Sequence, residues 1–368
     1  MINVFKPYLW DEEINAVAEV MRSWWVAMGP KVEEFEKRFA EFVGSEYALA
    51  MNSASAALHL AAIVCEMEGK EVITTPMTFV SSNHAILYNR GIPVFTDIER
   101  DTLNIDASEI AKNITPNTRA IIPVHYGWQA CDMDAIMELA RKHNLKVIED
   151  CAHATGGKYK WRMLGTIGDI GCFSFHGVKN MTTGDGGMLV TNNKEYYEKI
   201  KKLRWVGMDK DTHDREKGGK YAWYYNIDCL GYKYHMNDIN AAIGIEQLKK
   251  LPFTNGRRKE ITEMYNEWLK GIDWLELPVF RDYAESAHHN YVIKTPHRNE
   301  LNEYLAKLEI STGVHYIPNN FYDMYKQYGN QTPIAHEVWE KVLTLPLYPS
   351  LSDEDVKLVI DSIRAFKS

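Results

Sequence analysis

Residues 172–187 have the sequence CFSFHGVKNMTTGDGG, which sets a single lysine between two short β-prone runs. The first run, Cys172 to Phe175, ends in a turn of small residues. Lys179 stands in that turn, and a glycine-rich reversal leads into a second run, Met188 to Thr191. Since a lysine held at the end of a strand can become a covalent catalyst, this stretch predicts a strand–turn–strand unit and a candidate reactive group.

A second signal lies upstream, where residues 147–154 have the sequence VIEDCAHA. This is an apolar strand that ends in the carboxylate of Asp150, with the imidazole of His153 three positions later. Pyridoxal 5′-phosphate (PLP) requires two protein groups, a lysine for a Schiff base and an acid for its pyridine nitrogen. We interpret Lys179 and Asp150 as that pair, and His153 as a neighbour of the ring's phenolic oxygen.

Each of these residues also has an ordinary structural interpretation. A lysine in a turn is commonly a surface residue, and a strand-end aspartate is commonly solvated or a helix N-cap. His153 can be a satisfied helical histidine, and Phe79 can either stack on the cofactor ring or belong to the core. The case for a cofactor site rests on their occurring together.

A candidate phosphate site lies at residues 52–58, NSASAAL, where small residues follow a strand and begin a helix. Backbone N–H groups and the positive end of the helix dipole face an anion there. Ser55 and Ser174 can add hydroxyl donors. Small residues begin many helices, so the motif is informative only beside Lys179 and Asp150.

The bulk composition is that of an ordinary folded protein. The chain has 368 residues, 45% hydrophobic and 25% charged, and its net charge of -8 argues against a broad nucleic-acid surface. Its beginning has no signal-peptide pattern, and no apolar run approaches the length of a bilayer span. The five cysteines lack metal-ligand spacing, so we expect free thiols in a reducing compartment, a cytoplasmic protein and no metal site.

Strand and helix patterns alternate along the first half of the chain, as in parallel βαβ units. Two amphipathic helices, 11–23 and 31–42, flank an apolar turn, 24–30, that is expected to line an interface or a pocket. Since ligands of open α/β sheets bind at the carboxyl ends of strands, His125 and Asp150 are expected at one edge. The following strands are predicted at 47–51, 71–75, 93–98, 119–125 and 145–150, with helices at 54–67 and 132–143.

The rest of the sequence divides into a loop, a long helix and a second α/β pattern. Residues 205–229 lack periodicity, which favours a substrate-covering loop over a disordered insertion. The sequence predicts a large domain, 1–250, that binds the cofactor, and a small C-terminal domain, 251–368. The predicted elements here are a helix from 236 to about 271, strands at 290–295 and 313–317, and helices at 299–308 and 353–365.

Taken together, the segments resemble the DegT/StrS-type sugar aminotransferases, PLP enzymes of fold type I, the aspartate aminotransferase fold. The resemblance covers almost the whole chain. It implies an α/β protein whose large domain has a mostly parallel mixed sheet flanked by helices, together with a small C-terminal α/β domain. Besides the segments quoted above, it is carried by residues 28–36, 93–97, 122–126 and 231–238.

The resemblance implies roles for individual residues. Lys179 would be the Schiff-base lysine and Asp150 the pyridinium partner. Segment 231–238 is similar to one that the family donates across a homodimer interface, so that Lys233 or His235 would reach the phosphate bound by the partner. The residues implied around the cofactor are Ala54, Ser55, Phe79 and Ser174.

Lys179 also bears on the reaction. A subgroup of the family has histidine at this position and dehydrates its sugar, so the lysine favours amino transfer. The chain departs from the family pattern at a few positions: Ala54 and Ser55 stand where glycine and threonine are frequent, and Gly177 replaces a commoner proline or alanine. Asp185 replaces a frequent glutamate, which is a mild change.

The form of the 176–187 segment resembles family members that aminate C4 of a nucleotide-linked 4-keto-6-deoxysugar, with glutamate as the amino donor. Lysines or arginines of the 205–229 loop are candidates to bind the diphosphate. Substrate contacts are predicted at Met28, His125, Tyr126, His315 and Tyr316.

Several alternatives stay open from the sequence. They are a C3-specific sugar aminotransferase, a PLP-dependent dehydratase or another PLP enzyme, and a non-enzymatic regulator of the same fold. A nicotinamide enzyme is excluded because no Gly-x-Gly-x-x-Gly follows the first strand.

Overall fold

A seven-stranded sheet lies at the centre of the computed structural model, which describes residues 1–209, 223–329 and 331–367. The strands are β1 (Tyr47–Met51), β2 (Glu71–Thr74), β3 (Ile92–Phe95), β4 (Thr118–Ile122), β5 (Lys146–Asp150), β6 (Lys158–Tyr159), β7 (Arg162–Met163), β8 (Ile170–Ser174), β9 (Gly187–Thr191), β10 (Ala284–Glu285), β11 (Tyr291–Lys294) and β12 (Val342–Leu345). The order in the large sheet is β1-β9-β8-β5-β4-β2-β3. β9 is antiparallel to both of its neighbours and the other pairs are parallel, which confirms the predicted mostly parallel mixed sheet.

Helices of the first part of the chain pack on both faces of this sheet, and further helices lie around a second core. They are α1 (Asp11–Ser23), α2 (Pro30–Val43), α3 (Ala54–Val64), α4 (Ser81–Tyr88), α5 (Ala107–Asn113), α6 (Met133–His143), α7 (Lys194–Leu203), α8 (Asp238–Leu269), α9 (Arg298–Lys307), α10 (Pro333–Trp339) and α11 (Asp353–Ala365). Because consecutive strand residues point to opposite faces, Val147 joins the core of α2, α6 and α8, whereas Ile148 joins that of α3, α4 and α7. Both faces are buried, as is usual for parallel strands.

A second core forms around the antiparallel pair β11–β12. It contains α9, α11 and the second half of α8, and the start of the chain also packs there. The amide of Ile2 donates to the Glu309 carbonyl at 2.8 Å, and the amide of Leu347 donates to the Val4 carbonyl at 3.0 Å. α8 runs through the predicted boundary at residue 250, and the division into two domains stays a prediction.

Most predicted elements lie within a few residues of the observed ones, and α1, β1 and α11 have the predicted bounds. The predicted strand at 313–317 is wrong. In this segment Gly313 makes an isolated bridge to Thr344. His315 and Tyr316 continue as irregular backbone because their side chains bond to partners outside any ladder, as described below.

Two further predicted segments are partly described. Of the 205–229 loop, residues 210–222 lie outside the described residues, and the flanking parts meet where Met208 bridges to Ile227. In the apolar turn at 24–30, Trp24 is 90% exposed whereas Met28 is buried. In the described ranges, no helix has the combination of length and apolar character that crossing a bilayer needs.

The turn before α2 depends on an aspartate distant in sequence. Gly29, at the N-cap of α2, has no side chain to satisfy the first amides of the helix. Asp238, at the start of α8, supplies that acceptor: its carboxylate receives the amides of Gly29 at 2.8 Å, Lys31 at 3.1 Å and Val32 at 3.0 Å. One buried carboxylate therefore joins the beginnings of two helices.

Replacing Asp238 with alanine leaves these three amides without their acceptor. We expect Asp238→Ala to lower the free energy of unfolding by about 2 kcal/mol, measured by denaturant unfolding. The matched control is Asp361→Ala on the exposed face of α11, expected to stay within about 0.5 kcal/mol of wild type. Equal losses in the two variants would contradict the capping role.

Candidate functional site

The carboxyl ends of β5 and β8 open into a cavity of about 370 Å³. Its other walls come from the beginnings of α3 and α4 and from residues 315–316. This is the edge at which open α/β sheets bind ligands, and the volume lies in the range of small-molecule sites. The predicted site residues that line the cavity are Ala54, Ser55, Phe79, Asp150, His153, Ser174, Lys179, His315 and Tyr316.

Asp150 ends β5 with its carboxylate almost fully buried. One oxygen accepts the hydroxyl of Ser82 at 2.7 Å and the other accepts the amide of Ala152 at 3.0 Å. Burial raises the pKa of Asp150, against the opposing effects of Ser82, Ala152 and the nearby Lys179. A cation brought next to this carboxylate would therefore be bound strongly and would restore its charged form.

Lys179 lies in the turn after β8, where its amide donates to the His176 carbonyl at 2.9 Å. Within the described part of the chain, its amino group makes no hydrogen bond and no ion pair. Burial lowers the pKa of Lys179 to about 8, with Asp150 acting in the opposite direction. More of this amine is unprotonated at neutral pH than of an ordinary lysine, which makes it a stronger nucleophile.

The beginning of α3, the predicted phosphate cradle, lines the same cavity. Ser53 caps the helix through its side chain, and the amides of Ala54 and Ser55, at the first helical positions, have no intrahelical acceptor. The Ser55 hydroxyl donates to Ser81 at 2.6 Å. Gly187 is needed here, since a Cβ at this position would lie 2.5 Å from the Ala54 nitrogen.

The opposite wall carries two side chains from the irregular segment. Tyr316 meets His153 at 2.8 Å between its hydroxyl and Nε2, and His315 meets Thr344 at 2.8 Å between Nδ1 and the hydroxyl. Burial, with Lys179, lowers the pKa of His315 to about 4. Burial also holds the pKa of His153 well below its usual value, so both rings are neutral.

The structure does not bring three predicted substrate residues to the cavity. Met28 is buried in the core beside α2. His125 is fully buried and turned toward Glu149. Tyr126 is also buried, with its ring edge-on to His153 and Tyr316 behind the cavity wall. Strand-end position alone could not reveal that these side chains point inward.

Lys233 and His235 also lie outside the lining of this cavity. Their backbone runs beside the cradle, where the Asn52 amide donates to the Tyr234 carbonyl at 2.7 Å. Their side chains meet at Trp205, with the Lys233 ammonium 3.5 Å from its ring centroid and the His235 ring edge-on at 4.3 Å.

A sequence model of the DegT/DnrJ/EryC1/StrS aminotransferase family matches residues 7–364. The chain belongs to this family. The spore coat polysaccharide biosynthesis protein SpsC of Bacillus subtilis is 42% identical over 98% of this chain and 97% of its own. Helicobacter pylori PseC, an aminotransferase involved in the biosynthesis of pseudoaminic acid, superposes with a TM-score of 0.91 at 30% identity over 99% of this chain and 98% of its own.

A third relative bears on the cofactor. The putative sugar aminotransferase Spr1654 of Streptococcus pneumoniae has been solved in a PMP form and a PLP form. Its PMP form superposes with a TM-score of 0.93 at 32% identity over 98% of each chain. The present chain is thus an enzyme of a PLP-dependent aminotransferase family with the fold type I architecture, as the resemblance implied.

The cavity of this aminotransferase suits that cofactor. Its floor holds the carboxylate of Asp150, whose pKa is raised by burial, and a pyridinium nitrogen beside it would favour its charged form. The free amino group of Lys179 suits an aldehyde, and the α3 amides suit a phosphate. Phe79, 58% exposed over the opening, offers an aromatic face.

Sequence reasoning missed the residues that hold Asp150 in place. Ser82, which donates to Asp150, lies in α4. The only local signal for it in the sequence is the weak one of the serine pair to which it belongs. Glu149 was also missed: its side chain points to the other face of β5 and is completely buried.

Glu149 fastens the base of the site. One oxygen accepts the amides of Ile167 and Gly168, both at 2.7 Å, and the other accepts Gly165 at 2.9 Å and the His125 ring at 3.0 Å. Burial opposes its charge, but His125 and the amides outweigh burial and hold the pKa of Glu149 below its usual value. With four donors the carboxylate is saturated.

This saturation also explains a cluster that resembles a metal site. Ligand atoms of His125, Glu149 and Cys151 lie within 4.8 Å of one another. The oxygens of Glu149 are occupied as described, and Nδ1 of His125 accepts the Cys131 amide at 3.2 Å. The cluster is therefore a hydrogen-bonded core beneath the aminotransferase site.

Replacing Glu149 with glutamine turns an amide nitrogen toward N–H donors. We expect Glu149→Gln to lower the free energy of unfolding by roughly 3 kcal/mol at neutral pH, measured by denaturant unfolding. Since the lowered pKa stabilises the fold above the ordinary glutamate pKa of about 4.3, the gap to wild type should narrow as pH falls below that value. Glu138→Gln on exposed α6 is the control, and an equal loss there would refute the assignment.

Proposed function

We propose that this aminotransferase moves an amino group from glutamate to a nucleotide-linked keto-deoxysugar, at C4 of a 4-keto-6-deoxyhexose. PLP would be held as a Schiff base by Lys179. The observation that carries the proposal is that one cavity is lined by the unpaired Lys179, the buried carboxylate of Asp150 and the beginning of α3. The five free cysteines support a reducing compartment, the cytoplasm, as its location.

Each residue has a defined task in this proposal. PLP, when bound, supplies the electron sink that lets a proton leave the α-carbon of the donor. Asp150 keeps the ring nitrogen protonated, and the α3 amides with Ser55 and Ser174 bind the phosphate. Lys179, once displaced by the donor, would act as the general acid–base, accepting a proton on its Nζ and giving it back. A pKa near 8 suits both halves of that exchange.

The proposal of a sugar substrate is supported by the relatives of this chain. SpsC serves polysaccharide biosynthesis and PseC the biosynthesis of pseudoaminic acid. The C4 position rests on the resemblance of the 176–187 segment, with C3 as the alternative. His315 and Tyr316 are the predicted substrate residues that line the cavity. The basic residues of the 205–229 loop fall within 210–222, outside the described residues.

The proposed partner is a second copy of this chain. Lys233 is exposed and has no carboxylate partner among the described residues. It does not line the cavity of its own chain, which supports its predicted role, with His235, at the phosphate bound by the partner.

The lysine assignment is tested by covalent capture. Wild type incubated with PLP and reduced with borohydride should carry the cofactor on the peptide containing Lys179, and uptake should speed up as pH rises through about 8 because only the free amine attacks. In a separate sample that is not reduced, glutamate should yield one equivalent of 2-oxoglutarate per site without any sugar.

Lys179→Ala should abolish both the visible absorption band of the PLP Schiff base and this half-reaction with glutamate. Lys142→Ala on exposed α6 should retain both. A turnover rate unchanged in Lys179→Ala, or label found on another lysine, would overturn the proposal. A keto-sugar panel with labelled glutamate then separates C4 from C3 amination, and water loss without amine transfer would indicate the dehydratase alternative.

The partner assignment is tested with hybrid dimers. Lys179→Ala and the double variant Lys233→Ala/His235→Ala should each be inactive alone. Mixed in equal amounts and allowed to exchange subunits, they should recover about a quarter of wild-type activity, because half the dimers then hold one complete site. No recovery in dimers shown to be hybrid would mean that these residues serve their own chain.

A further inference from the structure

Four aromatic rings form a stacked column that ends at the cavity. Phe5, near the start of the chain, stacks on His289 with centroids 5.6 Å apart and planes 3° apart. His289 stacks on His153 at 4.5 Å and 30°, and His153 on Tyr316 at 5.8 Å and 19°. A segment remote in sequence therefore supports a tyrosine in the site.

The hydrogen bonds of His153 fix where its proton lies. The Gly127 amide donates to Nδ1 at 3.2 Å, so Nδ1 is the unprotonated nitrogen of the neutral ring. The proton is then on Nε2, which donates to the Tyr316 oxygen at 2.8 Å. Among the described residues no acceptor takes the hydrogen of the Tyr316 hydroxyl, and Tyr316 is one of the residues that line the cavity.

We propose that Tyr316 is a proton donor to the oxygen of the keto substrate, its hydroxyl oriented by neutral His153, and that Phe5 is a positioning residue acting through the column. This inference rests on the proposed function, since it names a further catalytic residue of the same site. The burial that raises the pKa of Tyr316, reinforced by Asp150, keeps the phenol protonated.

The step needs no further reagent. When an amine condenses with a keto group, the carbon gains a bond to nitrogen and its oxygen leaves as water. Both hydrogens of that water come from the amine. Tyr316 can give its proton to the departing oxygen and recover one from the nitrogen, so it ends as it began.

Further contacts hold the column of rings in place, and one of them involves Phe5. The Gly127 carbonyl accepts the amides of His289 at 3.1 Å and Asn290 at 3.2 Å. Gly127 has a positive φ of 51°, a backbone conformation that favours glycine. Phe5 also meets His315 edge-on at 5.6 Å. The same ring therefore contacts His315, which adjoins Tyr316, and His289, which stacks on His153.

The test isolates condensation with a keto group. Holoenzyme is treated with glutamate, desalted and mixed with 2-oxoglutarate as the probe, and the return of the visible band is followed in a single turnover. Tyr316→Phe should slow this step about 100-fold, while its affinity for PLP, measured by titration of the apoenzyme, stays within about twofold of wild type. Tyr322→Phe, which removes a hydroxyl from the same segment outside the cavity, should react at the wild-type rate.

Phe5→Ala should slow the same step by roughly 10-fold, with PLP affinity unchanged, and should add no further loss in the Tyr316→Phe background. A wild-type rate in Tyr316→Phe overturns the inference. If the rate losses of Tyr316→Phe and Phe5→Ala add fully in the double variant, the role of Phe5 is overturned. Wild type that binds no PLP overturns the proposed function as well, whereas a working wild type with an unaffected Tyr316→Phe overturns only the tyrosine assignment.

Discussion

The site depends on a buried carboxylate and a partly buried amino group that lie at one sheet edge without bonding to each other. Asp150 is held by Ser82 and Ala152, and no hydrogen bond or ion pair joins it to Lys179 in the described part of the chain. Burial disfavours the charged form of both groups, so it raises the pKa of Asp150 and lowers that of Lys179. A ligand that is cationic at one end and electrophilic at the other satisfies both groups at once.

The rest of the fold keeps these two groups apart and rigid. β5 and β8 are adjacent parallel strands, so their carboxyl ends present Asp150 and the lysine turn side by side. Beneath them, Glu149 ties β5 to residues 165–168 through three amides. Above them, the close approach of Gly187 to the Ala54 amide fixes the phosphate cradle against β9. Rigid elements of this kind give a site its precision.

The column from Phe5 to Tyr316 adds a contribution from the C-terminal core. The segment containing Phe5 is fastened to that core through Ile2 and Val4. The neutral state of His153 is a consequence of geometry, because its Nδ1 is already an acceptor of a backbone amide.

The sequence by itself determined the elements whose signals are local. The alternation of strand and helix patterns marked β1 and β5. The small residues around Ala54 marked the start of α3, and the glycine-rich turn marked Lys179. Tertiary structure alone decided that Ser82 serves Asp150 across a separation of 68 residues, that His125 turns inward to Glu149, and that residues 313–317 form no strand. Periodicity reports only which way neighbouring residues face. The partner of a buried polar group is decided by packing between distant segments. A local sequence pattern carries no information about that packing.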